Sequence, residues 1–352
     1  MKLALISDSA AALQACLGLA RQLGEAGVAV TQIVAPALQA DLAAAAPGAG
    51  DGALVLEPLA AAASELMDHL DGVGVFLEAP LLGAFRQGHR QAARLRGRPA
   101  RPLFSGPLLP LVGDALSADL LPRLGYDLIC LHGQAQVEAL AWLVRGTGHA
   151  AQAHAALGLW SVPTAPIGVA VSERPQLLVL EQRTVPGSAR EKALLYRRFQ
   201  GLAEACPGWT VRLQPDQALP SDPELWEETT LAWHHRQDGQ RPANLELGRV
   251  EDLPLSLMQA WACLGISSPW LLSAMVWGKP TVVLGDYGIR TEFNGPLFFG
   301  SGLMRRLADC QPLEHLLTAP RANGGWLADL GWAIADGPQR LRRQLEALGR
   351  CP

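Results

Sequence analysis

Residues 265–283 read Gly265-Ile266-Ser267-Ser268-Pro269-Trp270-Leu271-Leu272-Ser273-Ala274-Met275-Val276-Trp277-Gly278-Lys279-Pro280-Thr281-Val282-Val283. An apolar strand runs into two hydroxyls, and Pro269 follows where its fixed φ suits a first helical turn. Gly278 closes the helix expected at Pro269–Trp277, and a β-branched strand, Thr281–Leu284, begins at once. Strand, helix and strand at this spacing form a βαβ unit of a parallel sheet. The free N–H groups and positive dipole end of such a helix attract phosphate, and Ser267 and Ser268 add donors beside it. The plainer role for Ser267 is the N-cap of that helix.

The next stretch strengthens the phosphate reading. Leu284-Gly285-Asp286-Tyr287-Gly288-Ile289-Arg290-Thr291-Glu292-Phe293-Asn294-Gly295 is a polar, glycine-rich loop after a strand, and Phe298-Phe299-Gly300-Ser301-Gly302-Leu303 follows closely. Open parallel sheets bind ligands at the carboxyl ends of their strands. The candidate nucleotide contacts are therefore Ser267, Ser268, Asp286, Tyr287, Gly288, Asn294, Gly300, Ser301 and Gly302.

Working outward, short apolar runs alternate with Ala/Leu-rich helical stretches along the chain. Strands are expected at Lys2–Ile6, Val28–Val34, Ala53–Leu56, Val73–Leu77 and Asp127–Leu131. Helices are expected at Ala10–Glu25, Leu59–Leu70 and Gln134–Val144. The prolines of Pro102-Leu103-Phe104-Ser105-Gly106-Pro107-Leu108-Leu109-Pro110 argue for a loop and against a central strand. A proline-bearing stretch at 160–176 reads as a linker. A second series follows, with strands at Leu177–Leu180, Thr210–Leu213, Ala243–Leu247, Trp261–Ile266 and Thr281–Leu284 and a helix at Ser188–Ala205. These runs give an N-terminal unit at 1–170, a C-terminal unit at 171–320 and a helical tail at 321–352.

Composition fits two α/β domains. The chain has 352 residues, 49% hydrophobic and 18% charged, enough for two cores of ordinary size. A net charge of −4 and scattered arginines exclude a nucleic-acid-binding face. The densest basic stretch, Arg86 to Arg101, reads as a solvated helix face or as a cationic rim for an anionic acceptor or lipid. Six cysteines with no C-x-x-C pair suit a reducing compartment. No run approaches a membrane span, and the start of the chain lacks a signal-peptide pattern. A cytoplasmic protein is expected, with peripheral membrane contact left open. No P-loop, no G-x-G-x-x-G and no D-x-D after a strand is present, and His234-His235 lacks metal-ligand spacing.

Taken together, Ile6-Ser7-Asp8-Ser9, Phe104–Pro110, Asp127–Gly133, Ser267-Ser268, Asp286-Tyr287-Gly288 and Phe299–Gly302 resemble a family of bacterial glycosyltransferases of GT-B type. That family is linked with surface-polysaccharide and nonulosonic-acid pathways. The resemblance implies an α/β, GT-B-like fold: two Rossmann-like domains facing a central cleft, acceptor on the first and donor on the second. It implies a nucleotide-sugar substrate, no other cofactor, and a glycan or lipid-linked acceptor, contacted through the Ser105-Gly106 loop. Ser-Ser at the start of the donor helix also looks like the donor site of transferases that use CMP-sugars. The sequence departs from the GT-B pattern at Ser273, where a glutamate usually holds the ribose. Arg212, Trp226, Glu227, Glu228, His234 and His235 lie in a segment where the family tends to carry a basic residue and a histidine.

Asp8, directly after the first strand, is the leading general base, because transfer needs a carboxylate or imidazole near the acceptor hydroxyl. Its alternative role is to cap the Ala10–Glu25 helix. His132, at the end of another strand, is the second candidate base or else a structural hydrogen-bonding residue. Two further readings stand beside the transferase: a UDP-sugar epimerase of the same fold, and a nucleotide-sugar-binding scaffold with little catalysis.

Overall fold

A computed structural model describes the chain except residues 46–52, 164, 167, 218, 221, 290, 292–294, 319–321 and 351–352. The chain forms two compact units, Met1–Pro163 with Gly324–Pro352, and Thr164–Asn323.

The first unit holds seven strands: β1 (Lys2–Ser7), β2 (Ala29–Val34), β3 (Ala53–Val55), β4 (Gly72–Phe76), β5 (Leu103–Ser105), β6 (Leu128–Leu131) and β7 (His154–Ala156). They lie in the order β3-β2-β1-β4-β5-β6-β7, and every pairing is parallel. Alternation along β1 shows why the sheet is covered on both faces. Leu3 and Leu5 pack with Cys16, Phe104 and Leu128, while Ala4 and Ile6 pack with Val73, Val75 and Phe85. The helix Gly337–Arg350 of the tail belongs to this unit, with Leu341 and Leu345 buried beside Leu3 and Leu5.

The second unit holds β8 (Gln176–Leu180), β9 (Thr210–Gln214), β10 (Leu245–Leu247), β11 (Ala262–Gly265), β12 (Thr281–Leu284) and β13 (Met304–Arg305). Their order is β10-β9-β8-β11-β12-β13, again with every pairing parallel. Leu177, Val179, Val211, Leu213, Ala262 and Leu264 share one core with Phe199 and Trp209.

Four elements differ from the sequence expectation. Leu103–Ser105 is a central strand, between β4 and β5's other neighbour β6, despite the surrounding prolines. The prolines flank these three residues, and Pro102 needs only its carbonyl, which accepts from Val73 N at 2.9 Å. The helix expected at Leu59–Leu70 is two pieces, Pro58–Ala63 and the 3-10 turn Glu65–His69. Ser64 breaks it in extended conformation, its hydroxyl accepting from Leu66 N at 3.1 Å. The short strands β7 and β13 carry no alternating pattern that would have marked them.

Candidate functional site

Each sheet reverses its strand order once. In the second unit the chain runs outward from β8 through β9 to β10, then returns to place β11 on the other side of β8. Such a switch leaves a crevice between two carboxyl strand ends, since the following loops depart in opposite directions. Gln182 lies two residues beyond β8 and Ser267 two residues beyond β11. They meet: Ser267 N donates to Gln182 Oε1 at 2.6 Å, and Ser267 Oγ donates to the same oxygen at 3.2 Å. Ser268 Oγ accepts from Trp270 N at 3.3 Å, while the N-cap position of the short helix Trp270–Val276 is Pro269, so Ser267 is not its cap. Both serines are almost covered, at 6% and 3% exposure.

Beneath Gln182 lies a buried ion pair that the sequence reading missed. Lys192 Nζ donates to Gln182 O at 2.7 Å and stands 3.4 Å from Glu181 Oε1, which also accepts from Leu231 N at 2.7 Å. Burial is the main influence on both, raising the Glu181 pKa and lowering that of Lys192, and each charge opposes the other's shift. Ser188 caps the helix Ala189–Ala205, which carries Lys192 inward among Leu195, Tyr196 and Phe199.

The other candidates after β12 divide. Gly288, at φ 72°, lines a narrow crevice with Ser267, Val185, Leu284 and Met304. Asp286 is committed to structure: Oδ2 accepts from Leu307 N at 2.7 Å and Oδ1 pairs with Arg198 at 3.1 Å. Tyr287 packs against the core with its hydroxyl buried and without a partner among the described residues, and burial raises its pKa. Ser301 is buried in the turn entering β13, accepting from Leu303 N at 3.1 Å, with Gly300 and Gly302 at φ 75° and 76°. Ser273 is buried within its helix. Asn294 lies outside the described residues.

In the first unit the switch falls between β1 and β4. Asp8 follows β1, and its Oδ2 accepts from Glu78 N, beyond β4, at 2.9 Å. Oδ1 is buried with no partner among the described residues, an arrangement that calls for an explanation in a native site. Burial, above all, raises the Asp8 pKa, the Glu78 N–H lowers it, and the Glu78 charge raises it further. The helix cap is Ser9, whose hydroxyl accepts from Ala12 N at 3.4 Å, so Asp8 does not serve that role.

His132, after β6, has no exposed surface. Nε2 lies 2.8 Å from Ser161 Oγ, Nδ1 3.2 Å from Gln136 Oε1, and the ring stacks on Trp160. Burial pushes its pKa down to about 4, so it stays neutral at pH 7. With both nitrogens engaged, it ties the β6 end to residues 160–161 and has no surface for an acceptor. Ser105 is likewise committed, donating to Val75 O at 2.6 Å. Gly106 lets the loop cross β6: a Cβ there would sit 2.0 Å from Cys130 O.

The basic stretch is mostly internal stitching. Arg96 holds Asp68 through two bonds of 2.9 and 3.0 Å, Arg101 holds the Asp68 carbonyl, Arg86 that of Leu124, and Arg90 that of Gly125. In the 211–235 segment, Arg183 pairs with Glu227, and His235 Nε2 lies 3.1 Å from Leu245 O. Among the described residues, no three His, Cys, Asp or Glu side chains gather as a metal site. No helix among them is long and apolar enough to cross a membrane.

Two parallel α/β units, each with a polar switch point, define a GT-B-like protein. Residues 3–348 match the family described as "Putative glycosyltransferase (DUF6716)", and the chain belongs to it. No curated protein matches the sequence. Among solved structures, the "putative UDP-N-acetylglucosamine 2-epimerase" of Listeria monocytogenes is similar at a TM-score of 0.65 and 12% identity, over 99% of this chain and 96% of that one. The Methanocaldococcus jannaschii UDP-GlcNAc 2-epimerase, in complex with UDP-GlcNAc and UDP, is similar at 0.58 and 13%, over 99% and 100%. The calicheamicin glycosyltransferase CalG4 is similar at 0.53 and 16%, over 99% and 98%. At these identities the likeness is one of fold.

Proposed function

We propose that this chain is a metal-independent glycosyltransferase that moves a sugar from a nucleotide donor to a hydroxyl of a surface-glycan or lipid-linked acceptor. The observation that carries the reading is the chemical contrast between its two switch points. Ser268, whose hydroxyl keeps its own hydrogen, offers a neutral donor where a donor phosphate needs one, and Asp8 holds a buried carboxylate oxygen, without a partner among the described residues, where an acceptor hydroxyl needs a base. In the reaction, Asp8 takes the acceptor proton while the acceptor oxygen bonds the anomeric carbon. The bond from that carbon to the phosphate oxygen breaks, and the nucleotide leaves with the electron pair. Nonulosonate from CMP is the donor we favour, because of the paired serines. Gly288 and the turn Gly300–Gly302 complete the proposed donor side, and the loop at Ser105-Gly106 the acceptor side. Cytoplasmic placement of the enzyme belongs to the same reading.

An epimerase acting on a UDP-sugar is the second reading, favoured by the structural neighbours that carry that name. Incubation with CMP- and UDP-sugars, followed by chromatography of nucleotides and sugars, separates the two. A transferase releases free nucleotide, and its rate rises with an acceptor. An epimerase returns intact UDP-sugar with one inverted carbon. Absence of both outcomes across the panel contradicts each reading and leaves a binding protein.

A further inference from the structure

The donors at the second switch point are not equally free. A backbone N–H can only donate, so the 2.6 Å contact from Ser267 N fixes which end of the Gln182 amide faces it: the oxygen. The Ser267 hydroxyl spends its single hydrogen on that same oxygen. The amide nitrogen is thereby turned away from Ser267, and its two hydrogens have no partner among the described residues. The backbone of Gln182 is as firmly held, because buried Lys192 donates to its carbonyl at 2.7 Å. Ser268 differs from Ser267 in the same respect. Its oxygen accepts from Trp270 N, which leaves its own hydrogen to give.

We infer that Gln182 is a phosphate-binding residue of the donor site, its side-chain N–H₂ aimed by Ser267, and that Ser267 acts as a positioning residue. The inference rests on the proposed nucleotide site and divides its labour: Gln182 and Ser268 touch the phosphate, and Ser267 orients Gln182. The chemistry suits a phosphate that carries one or two negative charges. An amide donates two hydrogens in a fixed plane, costs little to desolvate compared with an ammonium, and needs no proton uptake. Beneath it Glu181 is paired with Lys192, which offsets its negative charge, and Asp216, which also acts on this pair, is held by the Arg183 N–H at 2.9 Å.

The test exploits the isosteric change Gln182→Glu. A carboxylate keeps an acceptor for both Ser267 donors but replaces the outward N–H₂ with a negative oxygen. Binding of CMP, UDP, cytidine and uridine to the full chain is measured by titration calorimetry, with thermal melting as the check on folding. Gln182→Glu should lose at least the ~10- to 150-fold in nucleotide affinity that follows from losing a hydrogen bond to a charged group. Its affinity for the uncharged nucleosides should stay within about threefold, because their contacts lie elsewhere. If Gln182→Glu folds poorly, Gln182→Ala should show the same nucleotide-selective loss without the added repulsion. Wild-type nucleotide affinity in either folded variant, or an equal loss for nucleotide and nucleoside, overturns the role of Gln182. A wild-type chain that binds nucleotides no better than nucleosides fails earlier, at the proposed site itself.

Discussion

The two switch points share a backbone plan and differ in chemistry. In both, a loop after a central strand meets a loop after the strand that returns beside it, and a single side-chain oxygen joins them, accepting one hydrogen bond at the first and two at the second. At β1/β4 the joining acceptor is the carboxylate of Asp8, with one oxygen left over and a pKa raised by burial. At β8/β11 it is the amide of Gln182, with an N–H₂ left over. One site therefore has spare acceptor capacity, the property a base needs, and the other has spare donor capacity, the property an anion site needs. The fold supplies two equivalent edges, and single side chains decide what each can do.

The largest expected effect falls on the first edge. Asp8→Asn should reduce transfer by about 10²–10⁴-fold, the usual worth of a general base, while nucleotide affinity hardly changes. A variant with wild-type turnover would make the two edges chemically equivalent. The wild-type rate should rise with pH through an apparent pKa above the ordinary carboxylate value, since the base acts deprotonated and burial raises its pKa. The same shift has a stability sign. A folded-state pKa above the unfolded value favours folding only while the group is protonated, and this is lost as pH rises through the folded pKa. Asp8→Asn should therefore melt higher than wild type near neutral pH, and the gap should close as pH falls below the unfolded value.

Beneath the second edge, Lys192→Met should destabilise by about 3–5 kcal/mol, because it leaves Glu181 buried without its cation. Urea unfolding measures this, and a change below 1 kcal/mol would remove the ion pair as the support of Gln182. Ser268→Ala should cost about 1.5–3 kcal/mol in nucleotide affinity, read by titration. Ser267→Ala should cost less, because the Ser267 N–H still orients Gln182. A reversed order would restore Ser267 as the direct contact. The smallest effect is expected from EDTA, which should leave nucleotide binding unchanged. Loss on chelation, restored by Mg²⁺ or Mn²⁺, would bring a metal into the site.

Much of this organisation was legible in the residues, for physical reasons that also mark where legibility stopped. The helix Ala10–Glu25 and the strand Thr281–Leu284 stand where the sequence puts them, because apolar periodicity and end residues agree there. β5 was misread because proline was weighed by its presence nearby instead of by which N–H it removes. Ser267 and Ser268 were legible as hydroxyls at a strand end, but their division of labour depends on Gln182, 85 residues away. A positional signal for Gln182 existed: it stands two residues past β8, as Ser267 stands two past β11 and Asp286 two past β12. His132 read as a candidate base because a histidine at a strand end has no visible burial. Its stacking on Trp160 and its bond to Ser161 are long-range facts.

The central claim is that the second edge holds the donor phosphate, and a crystal structure of the full chain with CMP or UDP tests it most directly. The account predicts phosphate oxygens within hydrogen-bonding distance, about 2.7–3.2 Å, of donors at the ends of β8 and β11, beside Gln182 and Ser268. A nucleotide whose phosphate lies at the β1/β4 edge, or away from both edges, would contradict it.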